Sequence, residues 1–135
     1  MDQFLWTTLV TLMGVLLYFV MGLAVGRARL KYKVAAPATT GDPNFERYFR
    51  VQMNTLEWMV IFLPALWLFA FMHGDQVAAG IGAIWVLGRL LYMVLYVQDP
   101  KKRAFGYALQ GLAGLALLIG ALVGVVTRLL AAPMA

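Results

Sequence analysis

The sequence predicts an all-α membrane protein, a bundle of four transmembrane helices. Three observations carry that expectation: an apolar excess, two long charge-free runs, and basic residues gathered in two of the links between apolar segments. Hydrophobic residues make up 63% of the 135 positions and charged residues only 13%, against roughly 45–50% and about 25% in soluble globular domains. A soluble fold of this size has too little interior to hide that much apolar surface. The excess is expected to face lipid. There is no cysteine, which excludes a disulfide framework, a thiolate metal site and a cysteine nucleophile. The net charge of +5 sits at the ends of apolar runs rather than along one polar face, which argues against a nucleic-acid footprint.

The chain reads as a single four-helix membrane domain over residues 1–135. The first helix is expected over residues 4–26, because 24 residues without formal charge lie between Asp2 and Arg27. As a helix, the stretch from Phe4 to Val25 would span about 33 Å, enough for a hydrocarbon core of ~30 Å. It lacks the basic start and the short apolar stretch of a secretory signal, so a permanent helix is expected. A basic, turn-rich link follows from Arg27 to Asn44, where Pro43 and Asn44 read as a stop and then an N-cap. The second helix, 45–72, would be about 40 Å long and exceed the core by about two turns. Its first turns carry Glu46, Arg47 and Arg50, so they are expected to protrude into water or a headgroup-level cavity. His73-Gly74-Asp75 reads as a polar turn with His73 solvated. The third helix, 77–97, is interrupted only by Arg89. Pro100 then bars simple continuation through Gln98–Arg103. The fourth helix, 104–128, covers a second charge-free stretch of 24 residues.

Orientation follows from the basic residues. The links after the first and third helices hold seven of the eleven: Arg27, Arg29, Lys31, Lys33, Lys101, Lys102 and Arg103. Both links are expected to be cytoplasmic, with both termini on the opposite side. Gly22 with Gly26, and Gly120 with Gly124, stand at the four-residue spacing that permits close helix approach in lipid. Glycine is also common in membrane helices, so the spacing alone does not decide between packing motif and background.

Polar residues inside spanning helices carry more information, since each costs several kcal/mol unless paired or wet. Arg50, Asn54 and Glu57 lie within about 40° of one direction on the second helix and make one polar stripe, which Glu46 extends. Arg89, Tyr92 and Tyr96 repeat the pattern on the third. Two such stripes near the basic links would close a polar cavity suited to a small zwitterionic or anionic ligand. Arg50 and Glu57 also fit a purely structural charge pair. Tyr92 and Tyr96 also fit interface aromatics at headgroup depth. Arg89 reads first as structural, paired with a carboxylate or with helix ends, and Arg103 as a topology signal that can still point into the cavity mouth. One histidine and no cysteine leave too few ligands for a usual metal cluster. The chain has no serine, which excludes serine-nucleophile chemistry.

At Glu46-Arg47-Tyr48-Phe49-Arg50-Val51-Gln52-Met53-Asn54-Thr55-Leu56-Glu57 the chain resembles the MAPEG family, the membrane-associated proteins in eicosanoid and glutathione metabolism. The resemblance extends to Pro37–Gly41 and to Arg89-Leu90-Leu91-Tyr92 with Tyr96, and is weakest in the first and fourth helices. Within the family it points to the leukotriene-C synthase and microsomal glutathione transferase branch. It implies a homotrimer with glutathione bound between subunits near the cytoplasmic face. It implies Arg29, Arg50, Gln52, Asn54, Glu57, Trp58, Tyr92 and Tyr96 as glutathione-binding residues and Arg103 as the catalytic residue that activates the thiol. Two positions depart from the pattern: Trp58 replaces a tyrosine hydroxyl with an indole N–H, and Leu30 stands where a second arginine would follow Arg29.

The implied activity is conjugation of glutathione, as substrate, to a lipophilic electrophile, with reduction of a lipid hydroperoxide as a companion reaction. The implied partners are glutathione, that apolar substrate, membrane lipid and further copies of the chain, with no metal and no nucleic acid. The alternative is a non-catalytic lipid-binding relative in the same family. A small four-span exporter would be expected to carry a carboxylate in the first helix, and none lies between Asp2 and Arg27.

Overall fold

The computed structural model describes residues 2–132. A 3-10 turn over Asp2–Phe4 leads into α1, Leu5–Tyr32; α2 is Pro43–His73, α3 is Asp75–Gln98, and a 3-10 turn over Pro100–Arg103 leads into α4, Ala104–Ala131. Each of the four helices is long and apolar enough to cross a membrane. α2, α3 and α4 pack on one another, and α1 lies against α2 and α3. The described helices alternate in direction, so the two basic links share one end of the bundle and the α2–α3 turn lies at the other.

The helix ends differ from the sequence reading in ways the local chemistry explains. α1 continues through Arg27, Arg29 and Lys31 to Tyr32. Arginine and lysine are good helix formers, and cations in a last turn favour the negative end of the helix dipole. Lys33 then takes a left-handed conformation, φ 56°, and its N–H closes on the Arg29 carbonyl. α2 starts at Pro43, whose fixed φ suits a first helical position. The cap is Asp42 rather than Asn44: its carboxylate accepts the N–H groups of Asn44 and Phe45 at 2.7 and 3.4 Å. Pro64 lies inside α2 without ending it, as membrane helices tolerate. Pro100 does stop α3 at Gln98, and Asp99 caps the turn that follows by accepting the Lys101 N–H at 3.0 Å.

Close packing in lipid needs small residues, because lipid tails are as apolar as leucine and supply no hydrophobic drive between helices. α3 and α4 meet where Gly88 faces the backbone and Cβ of Gln110, and where Gly106 faces the backbone of Tyr92. A Cβ built on Gly88 would come within 2.6 Å of the Gln110 nitrogen, so only glycine fits. Gly120 and Gly124 do pack, against Phe69 and against Met72 and His73. Gly22 lies beside the Gln52 side chain of α2, whereas Gly26 meets nothing within 4 Å, so only the first of that pair touches another helix of the chain. The buried centre is Phe62 stacked on Trp85 with ring centroids 3.8 Å apart.

The end of the bundle away from the basic links is stitched by side chains. The Asp75 carboxylate accepts the Trp6 and Thr7 N–H groups at 3.0 and 2.7 Å, capping the first turn of α1 from the start of α3. Arg128 donates to the Met72 carbonyl at 3.1 Å. His73, read from the sequence as merely solvated, is instead the last residue of α2. Its Nε2 lies 2.8 Å from the Gly120 carbonyl, so its N–H serves α4, although the residue remains exposed.

Candidate functional site

The site grows from the first four turns of α2. Helical spacing puts Glu46, Arg50 and Glu57 on one face, and these three line a pocket of about 350 Å³ with Thr39 and Thr40 from the preceding link. Glu46 also closes that link by accepting the Gly41 N–H at 2.9 Å. Arg50 and Glu57 are exposed, and the bonded partner of Glu57 is Asn54, whose Nδ2 donates to Oε2 at 3.2 Å. The pocket thus presents one cation, two carboxylates and two hydroxyls: the polarity of a zwitterion's binding site.

A second pocket, of about 480 Å³, is lined by Tyr92, Arg103, Ala104 and Tyr107. Tyr92 and Tyr96, one turn apart on α3, stack at 5.5 Å with nearly parallel rings. The Arg103 guanidinium lies over the Tyr96 ring, 5.6 Å from its centre. The 3-10 turn that Pro100 imposes delivers Arg103 to this position at the start of α4. Arg103 itself is exposed and so remains free to meet an anion in the pocket. Tyr107 is the lining residue that the sequence reading missed. Its signal was present: it stands four residues after Arg103, in the first turn of α4.

Arg89 lies behind Asn54 and Tyr92. It is completely buried, and its Nη1 donates to the Asn54 carbonyl at 2.9 Å. The same guanidinium lies over the rings of Tyr92, Trp85 and Trp58 at 5.0, 5.6 and 5.7 Å. The structural role expected for Arg89 takes a different form from the one read in the sequence: its hydrogen-bond partner is an amide held to a carboxylate, not a carboxylate or a helix end. Aromatic faces and one strong acceptor can hold a cation in an apolar interior.

The remaining candidates lie elsewhere on the chain. Arg29 is partly buried in α1, donates to the Ala38 carbonyl at 2.7 Å and lies over Phe45. It also lines an open groove of about 770 Å³ with Gly22, Leu23 and Gly26. Gln52 lies against Gly22, on the face of α2 turned away from Arg50. Trp58 packs edge-on to Tyr107 and beside Gly114. One chain therefore sets Arg50 and Glu57 in one pocket, with Asn54 bonded to Glu57, and Tyr92 and Arg103 in another, with Tyr96 under Arg103; it leaves Arg29 and Gln52 on another side. Arg47, unassigned from the sequence, donates to the Val97 carbonyl at 3.3 Å and ties α2 to the end of α3. Among the described residues, no group of three His, Asp or Glu could hold a metal ion.

Comparison with known proteins matches residues 7–123 to the MAPEG family. An uncharacterized protein of Synechocystis is 48% identical over 94% of this chain and 93% of its own length. Human microsomal glutathione S-transferase 2 is 45% identical over 74% of this chain and 69% of its own. Bovine leukotriene C4 synthase is 38% identical over 70% of this chain and 63% of its own.

Proposed function

Because the chain belongs to the MAPEG family, we propose that it is a membrane glutathione transferase. It conjugates the thiolate of glutathione to lipophilic electrophiles, and the same thiolate supports glutathione-dependent reduction of lipid hydroperoxides. The observation that carries this reading is Arg103 over Tyr96, in the pocket that Tyr92 lines, with Arg89 running from Tyr92 to Asn54 and so to Glu57 of the Arg50 pocket.

Glutathione brings two carboxylates, one ammonium and a thiol. Arg50 is placed to take a carboxylate through the guanidinium fork, and Glu57 to take the ammonium. Arg29 and Gln52, on the far side of the chain, would complete the site from a neighbouring copy, which is the basis for proposing a homotrimer with glutathione between subunits. In that assembly the Trp58 indole is a supporting wall rather than a donor, given its packing on Tyr107.

The chemistry requires the anion of the thiol, because the neutral thiol is a poor nucleophile. Lowering a thiol from about 8.5 by two units needs about 2.7 kcal/mol of preference for the thiolate. One guanidinium against sulfur can supply this once neighbouring copies in the proposed trimer screen the site from water. Arg103 is the side chain placed to do so. The thiol proton leaves to solvent; the sulfur attacks the electrophilic carbon, a C–S bond forms, and the bond to the leaving group or epoxide oxygen breaks. No separate base is required. An apolar electrophile reaches the pocket from the surrounding lipid.

The test is conjugation of glutathione to a panel of apolar electrophiles and hydroperoxides by purified protein in detergent, beside an Arg103→Ala variant. Turnover by wild type and its collapse in the variant support the reading. Absence of both glutathione binding and turnover would replace it with a non-catalytic lipid-binding function.

A further inference from the structure

We propose that Arg89 is a positioning residue for the glutathione site: from behind the pocket it fixes which end of the Asn54 amide faces the ligand, and so stations Glu57. The inference rests on the glutathione reading above and deepens it. Arg89 is fully buried and cannot touch a ligand in the pocket. A guanidinium has donors only, so an amide that meets it must offer its carbonyl. Asn54 does so at 2.9 Å. The amide NH₂ is thereby turned the other way, where it donates to Glu57 Oε2 at 3.2 Å. Glu57 lines the pocket with Arg50.

The pairing is strongly enforced. Arg89 Nε and Nη2 have no hydrogen-bond partner, so Asn54 supplies the acceptor that this buried cation relies on. Turning the amide over would set two donor groups against each other and leave a charge without a hydrogen bond in an apolar interior, which is costly. The rings of Trp58, Trp85 and Tyr92 hold the guanidinium in place. A buried cation therefore sets the polarity of an exposed pocket: donor outward from Asn54, carboxylate of Glu57 held beside it. Without Arg89 the amide could rotate, present its carbonyl to a carboxylate of glutathione and release Glu57.

The experiment measures glutathione Kd by calorimetry and kcat at saturating glutathione, in detergent, for wild type, Arg89→Lys, Arg89→Met, Asn54→Ala and the Arg89→Met/Asn54→Ala pair. Lysine still donates to the Asn54 carbonyl, so its Kd is expected within about threefold of wild type; Arg89→Met is expected to weaken binding by about tenfold. For Arg89→Met, kcat stays within about threefold, as fits a group that positions a binding residue and takes no part in chemistry. In the Asn54→Ala background Arg89→Met causes no further loss of affinity, because the residue through which it acts is gone. Additive losses, or a folded Arg89→Met protein with wild-type Kd, would overturn the inference. If Arg89→Met does not fold, Asn54→Asp decides. It keeps an acceptor for Arg89 and has no N–H for Glu57, so its Kd should rise by about tenfold; wild-type affinity there would sink the idea. Wild-type protein that fails to bind glutathione would instead overturn the glutathione reading itself, a result seen before any variant is made.

Discussion

Arg50 and Arg103 both place guanidinium groups in polar pockets, yet their surroundings assign them different work. Arg50 shares its pocket with Glu46 and Glu57, a mixture suited to holding a zwitterion. Arg103 stands over Tyr96 with hydroxyl-bearing rings nearby and no carboxylate among the residues lining its pocket. It is therefore the arginine whose charge a thiolate would feel undiluted. Arg103→Ala is expected to lower kcat by about 10²-fold to 10³-fold, the usual cost of losing one preorganised donor to a developing anion. Glutathione Kd should move by no more than about threefold. Steady-state rates with calorimetric affinities separate the two, and equal losses in both would make Arg103 a binding residue. Arg50→Ala should do the opposite: Kd rises by about tenfold or more as a charge-assisted pair is lost, with kcat at saturation little changed. Thermal unfolding with and without glutathione then shows whether affinity or folding was lost.

At the scale of elements, the seam between α3 and α4 supports the site, because it carries Tyr92 and Arg89 on one side and Arg103 on the other. Gly88 and Gly106 set its spacing. Gly88→Ala drives a methyl group into the Gln110 backbone and is expected to cost about 1–3 kcal/mol, as overpacking does. It should also lower turnover by displacing Tyr92 from Arg103. Gly111, on α4 with Gly106, has nothing within 4 Å of a built Cβ. Gly111→Ala should be neutral or stabilise by up to about 1 kcal/mol, since alanine is the better helix former. Thermal unfolding in detergent and specific activity check both, and equal behaviour of the two variants would refute the seam's importance. Asp75 acts on the same scale. Asp75→Ala leaves two N–H groups of the first turn of α1 without their acceptor and should lower the melting temperature while leaving glutathione affinity unchanged, since the substitution lies at the far end of the bundle.

For the whole molecule, α1 carries exposed apolar side chains, among them Leu12, Leu16 and Phe19, on a helix long and apolar enough to cross a membrane. The proposed trimer makes a specific demand: Arg29 and Gln52 of one copy must serve the pocket of another. Mixed trimers of Arg103→Ala and Arg29→Ala chains should therefore recover activity in those sites that draw both intact residues from different copies. Recovery that never exceeds the sum of the separate variants would show that each chain works alone. Sidedness is equally testable, because the chain lacks cysteine. Thr40→Cys in the first basic link should react with an impermeant thiol reagent from the cytoplasmic side alone, and Gln76→Cys, beside the α2–α3 turn, from the opposite side alone. The reverse labelling would invert the proposed topology.

Four spans, their order and the polar stripe of Arg50, Asn54 and Glu57 were legible in the sequence, because each depends on period and composition within one segment. Helix ends were less so: Arg27–Tyr32 read as link because charge was weighed above helix propensity, and Asp42 was overlooked as a cap. Only tertiary structure could pair Arg89 with Asn54, 35 residues apart, turn Trp58 onto Tyr107, and set Arg29 and Gln52 apart from Arg103. The physical reason is that helical periodicity says which residues share a face of one helix, whereas partners across helices are chosen by how closely glycines let those helices approach. A buried cation's identity is written in the chain; the acceptor that satisfies it is decided by packing.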